Sequence, residues 1–264
     1  MKNTLKPTLS KHKKKDFKPA AIIAPLVALA LLYGALEIII PLSGINRIVL
    51  PTPTAIIKVI AEAFAADIWP HFIFNVKVIF FGFLIAVPFG MLLAAICSQF
   101  NIIVKAVSPY VILLVVTPMI TLIPLIQLWM GSDPDIRILV VVIQCTPIIM
   151  LNTLTGFTTV EQSKLDLARS MGASKLQTFI KIIFPNAMPQ VFTGIKLGCI
   201  FSTIGSVTAD FVFGMQGLGF KVQQATKYVM TEVVYGSIIL IALIGFILYK
   251  IVALIERRII VWKK

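Results

Sequence analysis

Residues 20–40 carry a single charge, Glu37, in an otherwise apolar run of 21 residues. At ~1.5 Å per residue a helix of that length reaches ~30 Å, the hydrocarbon thickness of a bilayer. Five more apolar segments follow, at 72–97, 103–130, 136–157, 191–213 and 233–255. Backbone in lipid must satisfy its own hydrogen bonds, so such runs fold as helices. The sequence predicts an all-α polytopic membrane helical bundle of about six transmembrane helices over residues 20–264, behind a tail at 1–19. A cleaved signal peptide also joins a basic head to an apolar run. Here the run exceeds the usual ~7–15-residue apolar core, and Glu37 and Pro41 stand where a cleavage site would be.

Of all residues, 58% are hydrophobic and 13% charged, against about 25% charged in soluble domains. The net charge of +13 would suit a nucleic-acid binder, but the basic residues gather at the chain ends and in one central loop. Nucleic acid is therefore not an expected partner. Cys97, Cys145 and Cys199 lie in or beside apolar runs with no CxxC pair, and the two histidines are His12 and His71. Neither a disulfide framework nor a metal site is expected. No Ser/His/Asp or Cys/His pairing is readable, so no catalytic residue and no cofactor is expected.

Basic residues also set the orientation. With the N-terminus inside, segments 1–19, 98–106, 158–196 and 250–264 face the cytoplasm and hold 18 of the 24 Lys and Arg. The other six are Arg47, Lys58, Lys77, Arg137, Lys221 and Lys227. Six spans return the basic C-terminus to the same side, so both termini are expected in the cytoplasm. Residues 1–19 hold seven Lys and one Asp without apolar periodicity and read as a disordered tail beside anionic lipid. The third segment, with Pro109, Pro118 and Pro124, is too long for one straight helix, and a kink or break is expected near Thr117-Pro118.

Residues 160–198, "VEQSKLDLARSMGASKLQTFIKIIFPNAMPQVFTGIKLG", are too polar to cross a membrane in full, yet their pattern is helical. A first helix ends at Gly172, a position where only glycine takes a positive φ cheaply. Ser174 is placed to cap a second helix. In it Leu176, Phe179, Ile180 and Ile183 fall at i, i+3, i+4 and i+7, one apolar stripe. Pro185 is expected to end this helix. The product is a helix–turn–helix hairpin within 158–190 that needs a partner to cover its stripe, or else packs on its own bundle. As a rigid knob it would transmit motion with Gly172 at the tip. Ala168 and Ala173 would allow close seating, and Asp166 and Arg169 would make ion pairs at the rim.

The phrase "DLARSMGA…IIFPNAMP" resembles the EAA loop of binding-protein-dependent ABC importer permeases. That motif has an acidic–small–small triplet, a Gly four positions after its last member, and a Leu-Pro pair about a dozen residues later. Asp166, Leu167 and Ala168 stand at the triplet, Gly172 at the glycine and Phe184-Pro185 at the pair. Asp for Glu, Leu for Ala and Phe for Leu depart from the pattern but keep charge sign or apolarity. "FTGIKLG", "GMQGLGF" and the terminal "ERR…W" resemble the nitrate/sulfonate/taurine branch, and the likeness covers about residues 50–264. It implies a type I ABC importer permease in the bacterial cytoplasmic (inner) membrane. A second permease copy would complete a homodimer, an ABC ATPase dimer would bind ATP on the cytoplasmic side, and an extracytoplasmic solute-binding protein would deliver a small solute. That solute would be nitrate, a sulfonate or taurine, or a vitamin precursor. The resemblance assigns Asp166, Ala168, Arg169, Gly172, Ala173, Leu176 and Pro185 to ATPase coupling.

Thr117, Gln127, Gln144 and Asp210 are polar groups within apolar segments. They would line a translocation path or bond across helices, and Asp210 would alternatively sit in interfacial water. "GMQGLGF" lacks the GxxxxGK[ST] and GxGxxG spacings of phosphate-binding loops, so the chain is expected to draw its energy from a partner. An ion-coupled secondary transporter is the competing class. It needs acidic or His relay groups in midspan, and the sequence offers few.

Overall fold

The computed structural model describes residues 20–262 except 47, 64–66, 132 and 134, so the basic tail lies outside the described residues. Among the described residues every regular element is helical. The chain divides into two compact units, residues 1–54 and 55–264.

In the first unit α1 (Ala20–Leu42) is the expected apolar helix. Its one charged group, Glu37, accepts the Thr54 backbone N–H at 3.0 Å. The Tyr33 hydroxyl meets the Thr54 hydroxyl at 3.0 Å.

The second unit holds α2 (Pro53–Ala63, its first two residues in the first unit), α3 (Trp69–Cys97), α4 (Asn101–Val116), α5 (Met119–Met130) and α6 (Ile136–Thr158). They are followed by α7 (Gln162–Ser170), α8 (Lys175–Thr178), α9 (Phe184–Phe213), α10 (Leu218–Lys227) and α11 (Thr231–Ile259). Four helical segments are long and apolar enough to span a bilayer: α3, α6, the continuous run Lys175–Phe213, and α11. α4 and α5 meet at 93° across Thr117-Pro118 and make a fifth if the bent pair is one span. Pro118 denies Thr117 the helical region, and Thr117 accordingly adopts an extended ψ of 123°.

α6 is the axis of the bundle. Val140, Val141, Cys145 and Ile149 on it have no exposed surface. Glycines on its neighbours make that possible. A Cβ at Gly82 of α3 would overlap the Val141 side chain, and one at Gly194 of α9 would stand 2.8 Å from Asn152 Cβ. Gly198 and Gly205 likewise face Ile149 and Gln144. Lipid tails supply no hydrophobic drive between helices, so close van der Waals approach over small residues has to hold the bundle together.

Pro185 does not end the helix that begins at Lys175, contrary to the sequence expectation. The chain widens into a π turn over Phe179–Ile183, where the Phe184 N–H bonds the Phe179 carbonyl, and runs on into α9. The wider turn absorbs a residue with no N–H and a bulky ring, so Pro185 sits in the first turn of α9.

Gly82→Ala is expected to cost about 1–3 kcal/mol by overpacking against the stiff Val141. Gly34→Ala, where a Cβ meets nothing within 4 Å, is expected to be neutral. Thermal unfolding of both variants in detergent checks this. Equal melting temperatures would refute the close-packing account.

Candidate functional site

Two polar constructions lie at opposite ends of α9. The first is the hairpin. Its turn is a Schellman motif: Gly172, at φ 73°, donates to the Arg169 carbonyl at 2.9 Å, and Ala173 donates to the Ala168 carbonyl at 3.0 Å. Ser174 and Gln177 then form a capping box with bonds of 2.9 and 3.2 Å. Both helix ends at the turn are therefore satisfied within the chain, which makes the turn stiff. The base is pinned as well. Lys164 donates to Asn186 of α9 at 3.1 Å, and the Phe157 ring packs edge-on against Phe179 at 5.1 Å.

The predicted stripe divides. Phe179 and Ile183 turn inward and pack on the core around Phe157, while Leu176 and Ile180 stay 68% and 56% exposed. Leu167 and Met171, at 62% and 78% exposure, join them. These large apolar side chains flank the Gly172 turn on a segment that otherwise reads "QSKLDLARS". Asp166 and Arg169 are exposed and pair at 3.3 Å, and Asp166 also accepts from Gln162 at 3.0 Å. Ala173 and Pro185 are half-buried. Ala168 is 3% exposed and faces its own chain, which corrects the expectation that it sits on the outer seating surface.

The second construction lies ~39 Å further along α9 at ~1.5 Å per residue. Asp210 is fully buried. Its carboxylate accepts from Asn75 of α3 at 2.8 Å and from the Gly219 N–H at 3.2 Å, and stands 3.6 Å from Arg137 Nε of α6. The Arg137 guanidinium lies between the rings of Phe74 and Phe213, at 5.1 and 5.0 Å. Asn75 also donates to Ser206 at 2.8 Å and accepts the Leu218 N–H at 2.5 Å. Gly217 N–H donates to His71 Nδ1 at 3.0 Å. The first N–H groups of α10 thus find side-chain acceptors although Gly217 brings no capping side chain. Gly217 has φ 107°, and a Cβ there would overlap the Asp210 carboxylate, so glycine is required on both counts. Lys221 closes the rim by pairing with Asp67 at 2.6 Å.

This arrangement corrects the expectation for Asp210. With no exposed atom it sits in no interfacial water; it bonds across helices, joining α3, α6, α9 and the start of α10. Thr117 is half-buried and spends its hydroxyl on the Leu113 carbonyl at 2.7 Å. Gln127 on α5 and Gln144 on α6 are half-buried, Gln144 beside Gly205. The structure gathers the hairpin residues at one end and does not bring Thr117, Gln127, Gln144 and Asp210 into one cluster. Arg137 and Asn75 were not singled out as site residues. Their signal was present: a cation and an amide inside apolar runs require partners.

Residues 86–261 match the family model described as "Binding-protein-dependent transport system inner membrane component". The chain belongs to that family. It is 28% identical over 197 residues to the taurine transport system permease protein of Escherichia coli strain K12, covering 75% of this chain and 72% of that one. A Bacillus subtilis strain 168 permease named for aliphatic sulfonates transport is 25% identical over 253 residues, 96% of this chain and 92% of its own. The resemblance to the sulfonate/taurine branch thus extends well beyond the hairpin. Among solved structures, an amino acid ABC transporter with histidines shares the fold, with a TM-score of 0.55 at 20% identity over 70% of this chain and 91% of that one. As a member of this family the chain is a multi-pass inner-membrane permease subunit of an ABC importer and not an enzyme. Members work with an ATPase and a solute-binding protein.

Removing one partner of the buried pair leaves the other charge uncompensated. Asp210→Leu is expected to cost ~3–5 kcal/mol, and adding Arg137→Met to recover part of it. Thermal unfolding of both proteins decides. A double variant no more stable than the single would show that the ion pair is not what the node depends on.

Proposed function

We propose that the hairpin over residues 162–183 is the handle by which a cytoplasmic ABC ATPase dimer works a homodimer of this permease. The observation that carries it is the exposed apolar patch of Leu167, Met171, Leu176 and Ile180 around a hydrogen-bonded turn. Exposed surface of this kind marks a protein interface. Each fully covered large side chain contributes about 1.5–3 kcal/mol, whereas the exposed Asp166–Arg169 pair contributes about 0.2–1 kcal/mol at most. Docking in this reading therefore rests on the apolar patch, with Gly172 at the tip and both chain termini on the same, cytoplasmic, side. The basic-residue distribution supports that orientation.

The solute in this reading is a small sulfonate or similar anion handed over by the binding protein, and it crosses between the two permease copies. The names of the taurine and aliphatic sulfonate relatives support the class. Vitamin precursors are the other solutes to test. The experiment is ATP hydrolysis by the reconstituted complex, with its binding protein, across taurine, alkanesulfonates, nitrate and vitamin precursors. Stimulation by sulfonates is expected, and stimulation by vitamin precursors alone would overturn the class.

A Cβ at Gly172 meets nothing within 4 Å but is strained at φ 73°, so Gly172→Asp clashes with no neighbour, strains the turn locally and puts a charge on the tip. The variant is expected to insert and purify normally but to lose co-purification with the ATPase. Leu176→Ala is expected to weaken the complex about tenfold, from the loss of ~1.4 kcal/mol or more of apolar burial. Undiminished ATPase recovery from both variants would reject the coupling role.

A further inference from the structure

Two cavities lie behind the hairpin, where α3 turns into α4. One, of about 490 Å³, is amphipathic. Ser98, Gln99, Arg169, Lys175 and Thr178 bring polar groups, and Phe100, Phe157 and Phe179 bring apolar ones. The other, of about 410 Å³, runs from Lys175 and Leu176 along Ala95 and Ile96 of α3. The two share Gln99, Lys175 and Phe179, so they adjoin. Lys175 makes no ion pair among the described residues. Arg169 gives one nitrogen to Asp166, which leaves further donors in its fork. Ile96 is 56% exposed in the last turn of a membrane-length helix, so the second cavity opens beside exposed apolar surface of that helix.

We propose that this paired cleft seats one anionic phospholipid, its phosphate against Lys175 and Arg169 and an acyl chain along Ala95 and Ile96. A free anion would use only the polar cavity, and a neutral lipid would leave the unpaired Lys175 without a counter-charge. An anionic amphiphile satisfies both cavities at once, and basic pockets at the membrane boundary are a known setting for such headgroups. The site needs only that this end of the bundle lie at the bilayer surface, so it does not depend on the coupling role given to the hairpin. Seated there, the lipid would fill the space between the hairpin and α3 and stiffen the hairpin from behind.

The test uses the full chain, delipidated in neutral detergent and re-supplied with short-chain phosphatidylglycerol, short-chain phosphatidylcholine or inorganic phosphate. Retained lipid is read by native mass spectrometry and melting temperature by thermal unfolding. Phosphatidylglycerol is expected to be retained and to raise the melting temperature. Phosphatidylcholine is expected to be lost, and phosphate alone to have no effect. Lys175→Gln and Arg169→Gln are each expected to weaken retention about fivefold. Ala95→Trp, which keeps the charge and fills the chain groove, is expected to weaken it as well. Lys227→Gln, at the other end of the bundle, is expected to leave it unchanged. Equal retention of the two lipids, an equal effect of phosphate, or an equal loss in Lys227→Gln would each overturn the proposal. No ATPase enters this readout, so its failure and that of the coupling reading are told apart.

Discussion

α6 touches α3 on one side and α9 on the other at distances that only positions without a Cβ permit. Gly82 and Gly90 on α3 and Gly194, Gly198 and Gly205 on α9 all face α6 atoms that a Cβ would crowd. Because lipid gives helices no hydrophobic reason to associate, this close contact supplies the cohesion. It also fixes the axial register of three helices, since a glycine out of line with its partner side chain would clash. Everything at the two ends of the bundle inherits its position from that register.

At one end the register brings Asn75 of α3, Arg137 of α6 and Asp210 of α9 to a single point. A buried pair of charges in an apolar setting is weak evidence for stability, because desolvation offsets much of the attraction. Its value here lies in specificity. The carboxylate finds its partners only if three helices and the Gly219 N–H at the start of α10 are all in place. A slip of any one of them strands a charge in the interior. The node therefore selects one arrangement of the bundle from the many that would bury as much apolar surface.

Much of this was legible in the sequence, and the parts that were not share a cause. Length and apolarity sufficed for the long apolar helices, because lipid leaves the backbone no alternative, but not for the short polar α10. The Gly172 turn and the Ser174 cap were readable because both are local motifs whose hydrogen bonds close within a few residues. Pro185 misled, because a π turn relieves a proline inside a helix without a signature in nearby residue types. Asp210 misled for a different reason. Its partners are 135 residues away in Asn75 and, through the Gly219 N–H, in the first turn of α10. Long-range polar pairing leaves only unpaired oddities in sequence, such as a lone Arg137 at the head of an apolar run. Ala168 shows the same limit on a smaller scale, since the helical pattern does not say which small residue faces inward.

The hairpin and the node are joined by one uninterrupted helical run, Lys175–Phe213. A helix resists axial compression and bending far better than a loop, so a displacement applied at Leu176 would arrive near Asp210 with little lost on the way. The π turn at Phe179–Ile183 is the one irregular section of that rod, and it lies where the hairpin meets the membrane-length part. The Phe157 ring is wedged against Phe179 on one side of it and against Phe184 on the other, with centroids 5.1 and 6.2 Å apart. That packing limits how far the joint can flex before α9 as a whole must move. A stiff turn, a braced joint and a continuous rod form a lever. At its far end is the Asn75–Arg137–Asp210 node, where α3, α6, α9 and the start of α10 meet, so in this reading a push on the hairpin would be felt at the junction of four helices.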